Sequence, residues 1–96
     1  MLTHTEIRQK LQELKPFLQK EFGVDKIGYF GSFARGDYRA DSDVDILVSF
    51  NQRIGWKFFD LKEYLESALE RKVDLVTEHS LRKQWKKDIL RQVEYI

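Results

Sequence analysis

The sequence predicts a small α/β or α+β sandwich, in which helices cover a short sheet and leave a site at its open face. Three observations predict it. Apolar residues recur at helical spacing in three long segments, three short β-forming runs lie between them, and 96 residues leave room for one core. A chain this short buries about 60–65% of its unfolded surface, too little to share between two cores. Residues 1–96 are therefore read as a single domain.

The first helix is expected over roughly Thr3 to Glu21. Thr3 and Glu6 have the spacing of a capping box, and Ile7, Leu11, Leu14, Leu18 and Phe22 follow at intervals of three and four. Pro16 removes one backbone donor and crowds the preceding turn, which predicts a kink or break near Lys15. Gly23 is a natural stop.

Lys26 to Phe30 reads as a short strand ending at Gly31, after which Ser32 can cap a turn of helix running to Arg35. A polar loop from Gly36 to Ser42 leads into a second strand, Asp43 to Phe50. Strand alternation puts Val44, Ile46 and Val48 on one face and Asp43, Asp45 and Leu47 on the other, so the two carboxylates point the same way.

Asn51 to Gly55 is turn-like. Phe58, Leu61, Leu65, Ala68 and Leu69 then form the apolar stripe of a second main helix, and Val73 to Thr77 is a third strand. Ser80 can cap a last helix with Leu81, Trp85, Ile89 and Val93 as its buried stripe, bordered by Arg82, Lys83, Lys86, Lys87 and Arg91. Those basic residues are read as a solvated helix face, His4 and His79 as surface residues, and Trp56, Phe58 and Phe59 as core or helix-anchoring aromatics.

Composition narrows the function classes. With 42% hydrophobic and 14% aromatic residues, wholesale disorder is excluded. The chain has no cysteine, which removes disulfide frameworks and thiolate metal sites and fits a reducing compartment. Its apolar stretches are short and no signal-peptide pattern follows Met1, so a soluble, cytoplasmic protein without a membrane partner is expected. A net charge of +1 gives no global drive toward nucleic acid, and direct nucleic-acid binding is not expected.

The informative run extends from Gly31 to Asp45 and joins a phosphate-type turn to a metal-type strand. Gly31 lets backbone approach a ligand, and amides opening the next helix can donate to phosphate oxygens, helped by the Ser32 hydroxyl. Gly-Ser turns that merely cap helices are common. Aspartate, however, is disfavoured in strands, and two on one face repel unless a cation lies between them. Magnesium takes carboxylate oxygens and completes its shell with water and substrate phosphates. Asp74, on a different strand and flanked by Val73, Leu75 and Val76, can supply a third carboxylate, enough to bridge two ions about 4 Å apart. Arg35 and Arg39 can neutralise triphosphate charge or serve as ordinary loop arginines.

Gly31-Ser32, ten intervening residues and Asp43-Val44-Asp45 together resemble the signature of the polymerase-beta-like nucleotidyltransferase superfamily, most of all its minimal nucleotidyltransferases. The similarity extends through Ile27 to Phe30, Ala34-Arg35-Gly36, Ser42 and Val73 to Val76. It implies the polymerase-beta-like fold, a small mixed sheet covered by helices. It also implies that Asp43, Asp45 and Asp74 are the catalytic metal-binding triad for Mg2+, with two ions expected. Gly31, Ser32, Arg35, Arg39 and Ser42 form the expected nucleotide-binding set for ATP. Larger members append a domain for the acceptor, and this chain has no room for one. Minimal members pair with a small helical HEPN-type toxin in prokaryotic toxin-antitoxin systems. The resemblance therefore implies an antitoxin that transfers AMP from ATP to a tyrosine of that ribonuclease-like partner. The alternative is a non-catalytic nucleotide-binding subunit that neutralises its partner by masking it. A homo-oligomer is compatible with either.

Overall fold

The computed structural model describes residues 2–96; Met1 lies outside them. Helix α1 (His4–Phe22) starts where Thr3 Oγ1 accepts from the Glu6 amide at 3.2 Å and stops at Gly23, which adopts the left-handed conformation with φ 66°. Pro16 does not break it: the helix is continuous through that position. Ile7, Leu11 and Leu18 on either side of Pro16 are fully buried, and packing of that stripe holds the helix together across the missing donor.

Strands β1 (Val24–Phe30), β2 (Val44–Phe50), β3 (Val73–Thr77) and β4 (Glu94–Tyr95) form one mixed sheet in the order β3-β2-β1-β4. β2 and β3 run parallel, joined through helix α3 (Lys57–Leu69), while β1 is antiparallel to both β2 and β4. The expected period-two alternation holds. Ile27 and Tyr29 of β1, Val44, Ile46 and Val48 of β2, and Val73 and Leu75 of β3 meet α1 and α3 in one hydrophobic core with Leu61, Leu65 and Leu69. Leu47 points the other way and is also buried, but outside that cluster. Tyr29 is fully buried, and its phenol is satisfied by His4 at 2.8 Å. His4 is thus a half-buried partner of the core and not a surface residue.

The C-terminal third departs most from expectation. Glu78–Ser80 forms a 3-10 turn capped by Thr77, and helix α4 (Lys83–Gln92) starts from Arg82, so Ser80 does not cap it. No residue of α4 is fully buried, and Trp85 is 56% exposed. The amphipathic pattern is present, but its stripe is covered only in part: Leu81, Ile89 and Val93 are half-buried and Trp85 stands out of the interior. Trp56 (84% exposed) and Phe59 (56%) likewise stand on the surface, packed against each other, and only Phe58 of that group reaches the core.

β4 was not expected. Its two residues pair with Gly28 and Tyr29, and Gly28 is the sequence signal for it: a Cβ there would meet the Glu94 carbonyl at 2.7 Å and Val93 at 2.8 Å.

Candidate active site

Asp45 and Asp74 are register partners across the parallel β2–β3 pair, so both side chains leave the sheet on the face opposite the core. Asp43 lies one residue before β2, two positions from Asp45, and is exposed. The Asp45 carboxyl is half-buried, and its pKa is raised from 3.8 to about 6. Burial is the largest cause, followed by the charges of Asp74 and then Asp43, with Arg35 opposing them. Three carboxylates therefore converge electrostatically on one patch, with Asp45 at its centre.

Gly31 closes the patch on the β1 side. Phe30 pairs with Asp45, and the chain then turns through Gly31 at φ 72° into the single helical turn α2 (Ser32–Arg35). Gly31, not Ser32, is the residue that precedes this turn, and having no side chain it supplies no cap bond. Ser32 is consequently half-exposed at the start of the turn, where the first amides of a helix have no carbonyl one turn behind them. A Cβ on Gly31 would collide with Asp45 Oδ2, so only glycine allows the turn and the carboxylate to sit together.

Arg35 ends the same turn. Its Nε donates to Asp37 Oδ2 and its Nη1 to Gln92 Oε1, each at 3.3 Å, both on exposed groups. Arg39 and Ser42 are less directly placed. Ser42 Oγ accepts from the Arg39 amide at 2.8 Å and the Ser42 amide donates to the Arg39 carbonyl at 3.1 Å, an arrangement that shapes the loop before Asp43. A shallow cavity of about 180 Å3 beside the patch is lined by Asp43, Ser42 and Arg71 but by neither Asp45 nor Asp74. The carboxylates thus face an open surface and do not surround that cavity.

The donor set suits a hard divalent cation, since it offers carboxylate oxygens alone and Asp45 carries repulsion that a cation would relieve. Among the described residues no three His, Cys, Asp or Glu side chains are drawn close enough to hold an ion unaided. Arg71, which contacts both the loop and α2, was not legible in the sequence as a site residue, because a guanidinium bound to backbone carbonyls leaves no motif.

Comparison with known proteins was made against this geometry. The Nucleotidyltransferase domain family model matches residues 11–96. The protein adenylyltransferase MntA of Thermococcus cleftensis is 47% identical over 97 aligned positions, covering 100% of this chain and 98% of its own. A solved candidate minimal nucleotidyltransferase superposes with a TM-score of 0.84 at 31% identity, covering 97% of this chain and 95% of that one. A crystal structure of a toxin-antitoxin with AMP-PNP gives a TM-score of 0.69 at 26% identity, covering 98% of this chain and 72% of that one.

Proposed function

The chain belongs to the nucleotidyltransferase domain family, and from that premise we propose a magnesium-dependent protein adenylyltransferase that serves as antitoxin to a small helical HEPN-type toxin. In this reading residues 1–96 act as one catalytic domain in the cytoplasm. The transferred group is the adenylate of ATP and the acceptor is a tyrosine hydroxyl of the partner. That oxygen bonds to the α-phosphorus, the bond from the α-phosphorus to the bridging oxygen breaks, pyrophosphate leaves, and the hydroxyl proton passes to a neighbouring carboxylate or water.

The observation that carries this reading is the in-register pairing of Asp45 with Asp74, with Gly31 packed against Asp45. Asp43, Asp45 and Asp74 would hold magnesium, which when bound supplies charge stabilisation to the triphosphate and the leaving pyrophosphate. Gly31 brings backbone to the phosphates, Ser32 offers its hydroxyl and amide, and Arg35 supplies a positive charge that already acts on Asp45. Arg39 and Ser42 fix the loop that delivers Asp43, and the Arg39 side chain adds charge at the rim. The Thermococcus relative supports the adenylyl transfer, and the toxin-antitoxin structure with AMP-PNP supports both the nucleotide and the class of partner. No helix among the described residues is long and apolar enough to cross a membrane.

The test is direct. The protein, ATP, magnesium and a small helical HEPN-type protein as candidate partner are incubated together and the partner's intact mass is followed. Mass increments of one adenylate that map to a tyrosine are the expected result. A tight complex without any increment would replace catalysis by masking.

A further inference from the structure

Arg71 stands between α3 and β3, three positions before Asp74. Its Nη1 donates to three backbone carbonyls of the loop before Asp43: Ala40 at 2.9 Å, Ser42 at 3.0 Å and Arg39 at 3.3 Å. Its guanidinium also lies over the ring of Phe33, with Cζ 5.4 Å from the centroid. Phe33 belongs to α2, directly follows Ser32, is fully buried, and stacks on Tyr38 of the same loop at 4.4 Å and 10°. One guanidinium therefore touches both segments that flank the carboxylate patch: the turn after Gly31 and the approach to Asp43.

Apart from Tyr38, which packs against the core, the loop lies at the surface. Asp37, Arg39, Ala40 and Asp41 are exposed, and the loop's other polar ties are the reciprocal Arg39–Ser42 pair, the Gly36 and Asp37 amides to the Ser32 carbonyl and the Arg35–Asp37 pair. Segments with so few buried contacts open locally at small free-energy cost. The backbone is shaped to bring Arg71 to this position: Glu70, the one described non-glycine residue at positive φ (53°), turns the chain out of α3 immediately before it. A non-glycine residue persists there only when its surroundings over-determine it. On the other side Lys72 accepts the Val44 amide through its carbonyl at 2.9 Å, so the residue after Arg71 is tied to the start of β2.

We propose that Arg71 is a positioning residue, whose guanidinium fixes the loop from residue 36 to 43 against Phe33 and thereby sets Asp43 beside Asp45. It acts through Asp43 and does not touch the nucleotide. This rests on the reading of Asp43 as a metal-holding carboxylate. Arginine is required because a planar fork can share its donors among several carbonyls while stacking on a ring, whereas a lysine ammonium is a compact point charge without a stacking face.

Arg71→Met, which keeps the apolar stem, and Arg71→Lys, which keeps the charge, test the proposal in the full chain. Two readouts are taken: amide hydrogen exchange, and the magnesium concentration that gives half-maximal ATP binding by calorimetry. In Arg71→Met, exchange of the amides from Asp37 to Asp43 is expected to speed up about tenfold or more, while Ile46 to Val48 keep wild-type protection. The magnesium requirement should rise about tenfold, as for loss of a group supporting a metal ligand, and Arg71→Lys should recover only part of either change. Wild-type exchange in the loop, or a wild-type magnesium requirement in a folded Arg71→Met protein, would overturn the proposal. Should Arg71→Met fail to fold, the same two readouts on Arg71→Lys decide. Should wild-type protein bind ATP equally well in chelator, the functional reading falls, and the exchange comparison still decides whether Arg71 holds the loop.

Discussion

Gly31 has no room for a side chain because Asp45 Oδ2 occupies the place a Cβ would take. The turn proposed to hold the nucleotide and the carboxylate proposed to hold the metal are thus fitted to each other through one missing methyl group.

That relationship predicts the behaviour of Gly31→Ala. The new Cβ must displace the Asp45 carboxylate or rotate a backbone held at φ 72°, and the cost is expected to be about 2–4 kcal/mol of stability with loss of ATP binding. Gly36→Ala is the control: φ there is 88°, yet no atom lies within 4 Å of the added Cβ, so only the conformational cost of about 1 kcal/mol applies. Denaturant melts and ATP calorimetry on both variants check the contrast. Equal losses at the two sites would mean that backbone conformation alone, and not contact with Asp45, makes Gly31 necessary.

The pKa of Asp45 predicts a pH-dependent stability in the presence of chelator. Below pH 3.8 the carboxyl is protonated in both states and the fold carries no penalty. Between 3.8 and about 6 the unfolded chain releases the proton while the folded protein retains it, so stability falls as pH rises and then levels off. The full shift corresponds to about 3 kcal/mol, which solvent screening at a half-exposed group reduces to about 1–2. Asp45→Asn should therefore be more stable than wild type by that amount at pH 7.5 and no more stable at pH 3.5, measured by chemical denaturation. A destabilised Asp45→Asn at pH 7.5 would show that the carboxylate is held by favourable contacts and not by repulsion.

Pattern alone puts Trp85 and Leu65 in equivalent buried stripes, yet the two should respond differently to truncation. Trp85 is 56% exposed and Leu65 is fully buried, so Trp85→Ala should cost under about 1 kcal/mol and Leu65→Ala about 2–5. Thermal or urea denaturation of the two variants compares them. A loss at Trp85 equal to that at Leu65 would mean that α4 packs far more tightly than its exposure shows.

These contrasts mark how far the sequence was legible. Period-two alternation placed Asp43 and Asp45 opposite Val44, Ile46 and Val48, and the structure keeps that division, because a register slip would expose the whole core face. Capping at Thr3 and the stop at Gly23 were legible because both are local chemistry. Asp74 was named as a third carboxylate, but its register was not legible: nothing in the run around it states that β3 pairs parallel to β2 with Asp74 opposite Asp45. The stripe of α4 was over-read at Trp85, because amphipathicity tells which face would be buried and says nothing of how far an element covers it; Leu81, Ile89 and Val93 are only half-buried. The two residues of β4 carry too little pattern of their own, and only the close approach at Gly28 announces them. Arg71 had no signature at all, since its three acceptors are backbone carbonyls 29 to 32 positions earlier in the chain.

Ser42→Ala separates loop shaping from nucleotide contact. Its Oγ accepts the Arg39 amide at 2.8 Å, and removing it should cost about 1 kcal/mol. Ser42→Thr, which keeps the acceptor, should restore both stability and ATP affinity. Loss of ATP affinity in Ser42→Ala without any change in stability would instead assign the hydroxyl to the nucleotide.

Carboxylates gathered on the β2–β3 pair are proposed to drive adenylate transfer to a protein partner. The measurement that tests this most directly is the intact mass of that partner after incubation with ATP, magnesium and either wild type or the Asp43→Asn, Asp45→Asn double variant. Asparagine preserves side-chain shape and removes the anionic charge a divalent cation requires, while relieving the repulsion centred on Asp45. Adenylate increments are expected with wild type, none with the double variant at undiminished stability, and none with wild type in chelator. Full modification by the double variant would contradict that role for the carboxylates.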